Sequence, residues 1–214
     1  MFKICVSLAE RGLDRILSAL QGLELAEIRL DRADLSLPEI DRLFRVPVEL
    51  VASYRPGASS DERREASFIA AISAGAAYVD VELDSPPGLK EKVLAEARLR
   101  SCRVIVSHHD LDKTPSRAEL DRLLEACFAA GADIAKIACR VSCPADCARL
   151  LSLYETTRPL IALGLGPSGL ITRIAGPLLG APFTYAAFAP GRETAEGQPD
   201  AATLRAIFER LGHG

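Results

Sequence analysis

Eight short apolar runs recur along the chain at intervals of about 25 residues, the length of one strand plus one crossover helix. They occupy residues 3–7, 25–30, 48–53, 78–83, 103–107, 134–138, 160–163 and 183–187. The segments between them carry helical period. Leu120, Leu123, Leu124 and Cys127 form an i, i+3, i+4, i+7 stripe. Ser116 with Glu119 spells a capping box at the start of that helix, and Asp200 caps the last one, over 201–211. Eight strand–helix repeats predict an α/β fold, a (β/α)8 TIM barrel, with residues 1–214 as a single catalytic domain. A dinucleotide-binding sheet fits less well. The first βα turn, Ser7-Leu8-Ala9-Glu10-Arg11, has none of the glycines that cradle a pyrophosphate.

Composition removes several classes of partner. The net charge of −3 supplies no basic field for nucleic acid or an anionic membrane surface. There is no Trp, and aromatics are 5% of residues, so base-stacking platforms are not expected. No apolar run approaches the roughly 20 residues of a membrane span. The first residues turn polar too soon for a secretory signal, and the six cysteines are expected to be free thiols in a reducing cytoplasm.

The strand-like runs end in charge. Glu27, Arg29 and Asp31 share one face by the two-residue period, as do Asp80, Glu82 and Asp84. Ser53 and Arg55 follow the third run, and Ser107 and His109 follow the fifth. In a barrel these positions line the active-site mouth. Each also has a plainer reading as a solvated end or a structural ion pair, Glu27 with Arg29 for example.

Lys136 is harder to read that way. It is one of only five lysines, and Ile-Ala flanks it on both sides. Burial disfavours the ammonium form and frees the amine as a nucleophile. The alternative is a buried ion pair with Glu27 or Glu82. Of the three histidines, His213 is expected to be solvated. His108 and His109 are adjacent on a strand end and face opposite sides, and parity with Ser107 points His109 inward. A desolvated lysine, a histidine and a carboxylate together make an amine nucleophile with a general acid/base.

Other patterns are weaker. Cys139, Cys143 and Cys147 lie four apart, but no His or carboxylate completes a known zinc spacing, so no metal is expected. Pro144 is placed to start a helix after Cys143. No G-x-S-x-G elbow is present. The glycines of residues 164–169 read equally as an anion nest or as a tight loop.

Seven pieces in order resemble the type I 3-dehydroquinate dehydratase family. Glu27-Ile28-Arg29-Leu30-Asp31 resembles its E-x-R-x-D strand, Tyr54-Arg55 its third-strand arginine, and Asp80-Val81-Glu82 its D-x-E. Ser107-His108-His109-Asp110 resembles S-x-H-[DN], and Asp133-Ile134-Ala135-Lys136-Ile137-Ala138 the Schiff-base strand. The stretch from Leu165 to Arg173 resembles M-G-x-x-G-x-x-S-R, with Leu165 for Met and Thr172 for Ser. Thr194-Ala195-Glu196-Gly197-Gln198 resembles S-A-P-G-Q, with Thr194 for Ser and Glu196 for Pro.

The resemblance implies cis-dehydration of 3-dehydroquinate to 3-dehydroshikimate in the shikimate pathway of aromatic amino acid biosynthesis, with no cofactor and in a homodimer. It implies Lys136, His109 and Glu82 as catalytic. It implies Ser7, Glu27, Arg29, Arg55, Arg173, Thr194 and Gln198 as substrate-binding, with Arg173 on the carboxylate and Thr194 and Gln198 on a closing loop. A Schiff-base aldolase on the same fold is the main rival, and it would hold a phosphate on amides of residues 166–169. A non-catalytic barrel is the other.

Overall fold

A computed structural model describes residues 2–212 of the chain; His213 lies outside them. Strands and helices alternate throughout. The eight strands are β1 (Ile4–Leu8), β2 (Leu25–Arg29), β3 (Glu49–Ser53), β4 (Tyr78–Glu82), β5 (Arg103–Asp110), β6 (Ile134–Arg140), β7 (Leu160–Leu165) and β8 (Thr184–Ala187). All eight predicted runs are strands. They follow one another in the sheet order β7-β6-β5-β4-β3-β2-β1-β8, which is the (β/α)8 barrel class.

The chain divides into two compact units. One is Ser7–Ile105. Here β2 pairs in parallel with β3, from Leu25 opposite Glu49 to Arg29 opposite Ser53, and β3 pairs with β4. Helices α1 (Leu13–Ala19), α2 (Leu30–Ala33), α3 (Leu37–Leu43), α4 (Asp61–Ala74) and α5 (Pro87–Leu99) intervene. Ser36 and Glu39 form a capping box that starts α3, and Ser60 caps α4. Phe68 and Ile72 of α4 are buried with Val51 and Val79 of the strands. These strands are buried along almost their whole length, as parallel strands covered on both faces require.

The other unit is Met1–Val6 with Val106–Gly214. In it β6 pairs with β7, Lys136 opposite Ile161, and the Thr184 amide donates to the Lys3 carbonyl at 3.2 Å. Its helices are α6 (Arg117–Ala129), α7 (Pro144–Ser152), α8 (Leu170–Leu178) and α9 (Ala201–Arg210). The expected capping box, Ser116 with Glu119, starts α6, Cys143 and Pro144 start α7, and Asp200 accepts from Thr203 N to start α9.

Two expectations about faces need correction. β2 ends at Arg29 and α2 begins at Leu30, so Asp31 does not continue the strand's alternation. β4 ends at Glu82, which leaves Asp84 exposed in a turn.

Candidate active site

The Ser7–Ile105 unit holds five of the expected residues: Ser7 in β1, Glu27 and Arg29 in β2, Arg55 just after β3 and Glu82 at the end of β4. Ser7 donates its hydroxyl to Glu27, and both are buried. Arg29 and Glu27, read as a possible pair, are not each other's main partners. Arg29 instead makes a bidentate fork with Asp31, Nε to Oδ1 at 2.9 Å and Nη2 to Oδ2 at 2.7 Å. Asp31 thus lies outside the strand but turns back to fix the guanidinium of Arg29. Arg55 bridges two carboxylates of β4, Glu82 at 2.9 Å and buried Asp80 at 3.3 Å. The sequence contained Asp80 and Asp31 in plain motifs, but nothing in it assigned them as the anchors of Arg55 and Arg29.

The second unit holds the other five. Lys136 is 4% exposed on β6. Its Nζ lies 4.1 Å from the centroid of the Tyr185 ring on β8. β5 runs to Asp110, three residues beyond the predicted end, so strand alternation continues through the histidine pair and His108 and His109 occupy opposite faces. Both are half-buried. Asp110 is taken up in the following turn, where it accepts from the amides of Asp112 and Lys113.

Arg173 is the most unusual group. It is 1% exposed on α8, and among the described residues its one hydrogen bond runs from Nη1 to the carbonyl of Tyr185 at a long 3.4 Å. Nε and Nη2 are buried without a partner among the described residues. Burial pushes the guanidinium down to about 10. Tyr185 is a further residue that the sequence did not single out: its ring faces the lysine while its carbonyl holds the arginine. Aromatic residues on interior strands are ordinary core, so nothing in the sequence set it apart.

The glycine-rich stretch from the end of β7 through the turn that follows is a tight loop. Gly164 N donates to Thr172 Oγ1 at 2.7 Å, Gly166 N to Glu196 O at 3.0 Å, and Gly169 N to Gly166 O at 3.0 Å. A Cβ on Gly164 would lie 2.7 Å from the Gly169 Cα, so the glycines serve close packing. These three amides are already engaged, which weighs against the anion nest. Thr172 also donates to Gly169 O at 2.7 Å, a role that the hydroxyl of serine or threonine fills equally.

Gln198 is buried, and its Oε1 accepts from both the amide and the hydroxyl of Thr194 at 3.0 Å. The two loop residues are therefore brought together. Of the three evenly spaced cysteines, Cys139 is buried in β6 with its thiol pushed up to about 12, chiefly by burial. Cys143 is exposed at the start of α7, and Cys147 donates to Ser168 O at 3.2 Å. Among the described residues no helix is long and apolar enough to cross a membrane.

Residues 4–214 match the family model for type I 3-dehydroquinase. A 3-dehydroquinate dehydratase of Desulfotalea psychrophila is 33% identical over 222 residues, covering 97% of each chain. One from Thermococcus onnurineus is 32% identical over 211 residues, 96% of this chain and 95% of that one. The crystal structure of a type I 3-dehydroquinate dehydratase from Clostridium difficile shares the fold, with a TM-score of 0.87 at 23% identity over 98% of this chain and 92% of that one.

Proposed function

Because the chain belongs to the type I 3-dehydroquinase family, a family of hydro-lyases, we propose that it dehydrates 3-dehydroquinate to 3-dehydroshikimate through an imine on Lys136. The observation that carries this reading is Arg173, a wholly buried guanidinium with two donors unpartnered among the described residues, matched to a carboxylate. It shares Tyr185 with the buried Lys136. The engaged glycine amides of the β7 turn favour a carboxylic acid over the phosphorylated sugar of an aldolase.

The chemistry follows from the residues. Lys136 Nζ attacks the ring ketone, and loss of water leaves an iminium, which serves as the electron sink. His109 removes the proton alpha to the iminium to give an enamine. The same imidazolium then protonates the departing hydroxyl, which leaves as water. Hydrolysis of the iminium returns the lysine amine and the product. The family pattern assigns Glu82 to orient His109 and support its charged form. Ser7, Glu27, Arg29 and Arg55 hold the ring hydroxyls, with Asp31 and Asp80 locking the two arginines in place. Thr194 and Gln198 close over the substrate. The reaction needs no metal or organic cofactor, since lysine supplies the sink.

Three further readings belong to the proposal. Residues 1–214 act as one catalytic domain, supported by a family match over 4–214. The enzyme works in the cytoplasm, in keeping with six free thiols. It assembles as a homodimer, and exposed Ile171, Leu178 and Leu179 on and just after α8 supply apolar surface for that contact.

Borohydride trapping with 3-dehydroquinate, read by peptide mass spectrometry, tests the central claim. A substrate-dependent adduct on Lys136 supports it. No adduct from folded protein at saturating substrate overturns it and turns attention to phosphorylated ketoses. Sedimentation of wild type and Ile171→Asp tests the dimer, which fails if both sediment as monomers.

A further inference from the structure

The loop that carries Thr194 and Gln198 is docked at three points, two on the β7 turn and one on the end of β6. The Gly166 amide donates to the Glu196 carbonyl at 3.0 Å. Gly197, with φ +71, packs so tightly on Gly166 that a Cβ would collide with its carbonyl. Arg140 Nη1 donates to Glu196 Oε2 at 2.6 Å. The Arg140 guanidinium also covers Gly166, where a Cβ would lie 3.2 Å from Nη1. Arg140 is the last residue of β6, the strand that bears Lys136.

Glu196 stands where the motif S-A-P-G-Q has proline. Proline restricts the open loop by fixing φ, and glutamate gives up that restraint. A half-exposed ion pair restores an effect of the same size, about two- to fivefold in an equilibrium. We propose that Arg140 and Glu196 form an ionic latch, a pair of positioning residues that holds the 194–198 loop docked. The latch thereby sets how firmly the substrate is retained and how fast product leaves. The proposal rests on the dehydratase reading for its kinetic consequence, but the docking itself does not depend on it.

Amide hydrogen exchange of Gly166 reports the docked loop directly, because its partner is the Glu196 carbonyl. Glu196→Gln and Arg140→Gln are each expected to lower that protection about two- to fivefold. KM for 3-dehydroquinate should rise by a similar factor, with kcat unchanged or higher. Molar sodium chloride should lower protection in wild type and leave the two variants unmoved. Glu196→Pro should keep the protection and lose the salt sensitivity. Unchanged Gly166 protection in both Gln variants, or a fall in kcat with KM constant, would overturn the latch. If wild type fails to turn over 3-dehydroquinate, the functional reading falls, and the exchange measurements still decide the latch.

Discussion

Replacing Arg173 by methionine separates a structural arginine from one held ready for a ligand. Methionine matches much of the side-chain volume and removes the charge. Burial has moved the guanidinium down to about 10, and the displacement from the ordinary arginine value corresponds to about 3 kcal/mol of disfavoured charge. Only part of that returns on substitution, because the Tyr185 carbonyl loses its long hydrogen bond from Nη1. The ligand-free variant should therefore gain about 1–2 kcal/mol in urea unfolding, or a Tm higher by about 3–6 °C. The sign of the pH dependence follows. The folded value lies below the ordinary one, so the cost is complete at neutral pH and relaxes only as pH rises past 10. The gain should be flat between about pH 6 and 9. Catalysis should move the other way. Losing a desolvated partner for a carboxylate costs about 2–5 kcal/mol, a fall in kcat/KM of about 30-fold to several thousandfold. A variant that is less stable than wild type and retains kcat/KM within about threefold would refute the reasoning.

Other outcomes follow from single contacts. Lys136→Met should abolish borohydride trapping and lower kcat by about a thousandfold or more, with an unchanged circular dichroism spectrum. Thr172→Val should cost about 1–3 kcal/mol in urea, because Gly164 N and Gly169 O both lose their buried partner, while Thr172→Ser should stay near wild type. Iodoacetamide at pH 8 should label exposed Cys143 first and leave Cys139, whose thiol is held near 12, unmodified by peptide mapping. Phe68→Ala, at a wholly buried position on α4, should cost about 3–5 kcal/mol in the same unfolding assay.

The alternation of strands and helices was legible because eight apolar runs at one spacing leave few other ways to bury themselves. Local caps were legible for the same kind of reason. Ser116 with Glu119 and Asp200 act within four residues, and the chain chemistry alone decides them. Lys136 stood out because a lysine among Ile and Ala has no surface reason to be there.

What the sequence left open depended on groups distant along the chain. Arg29 could have paired with Glu27, but where β2 stops determines that Asp31 takes it. The glycines of the β7 turn could have held an anion, but Thr172 and Glu196 occupy two of their amides from outside the turn. Tyr185 acquires its place only when β8 brings its ring to Lys136 and its carbonyl to Arg173. Strand period and capping are short-range and additive, so a linear reading finds them. Which donor meets which acceptor is settled by tertiary packing, since burial penalises every polar group left unmatched and selects among partners that sequence alone leaves equivalent.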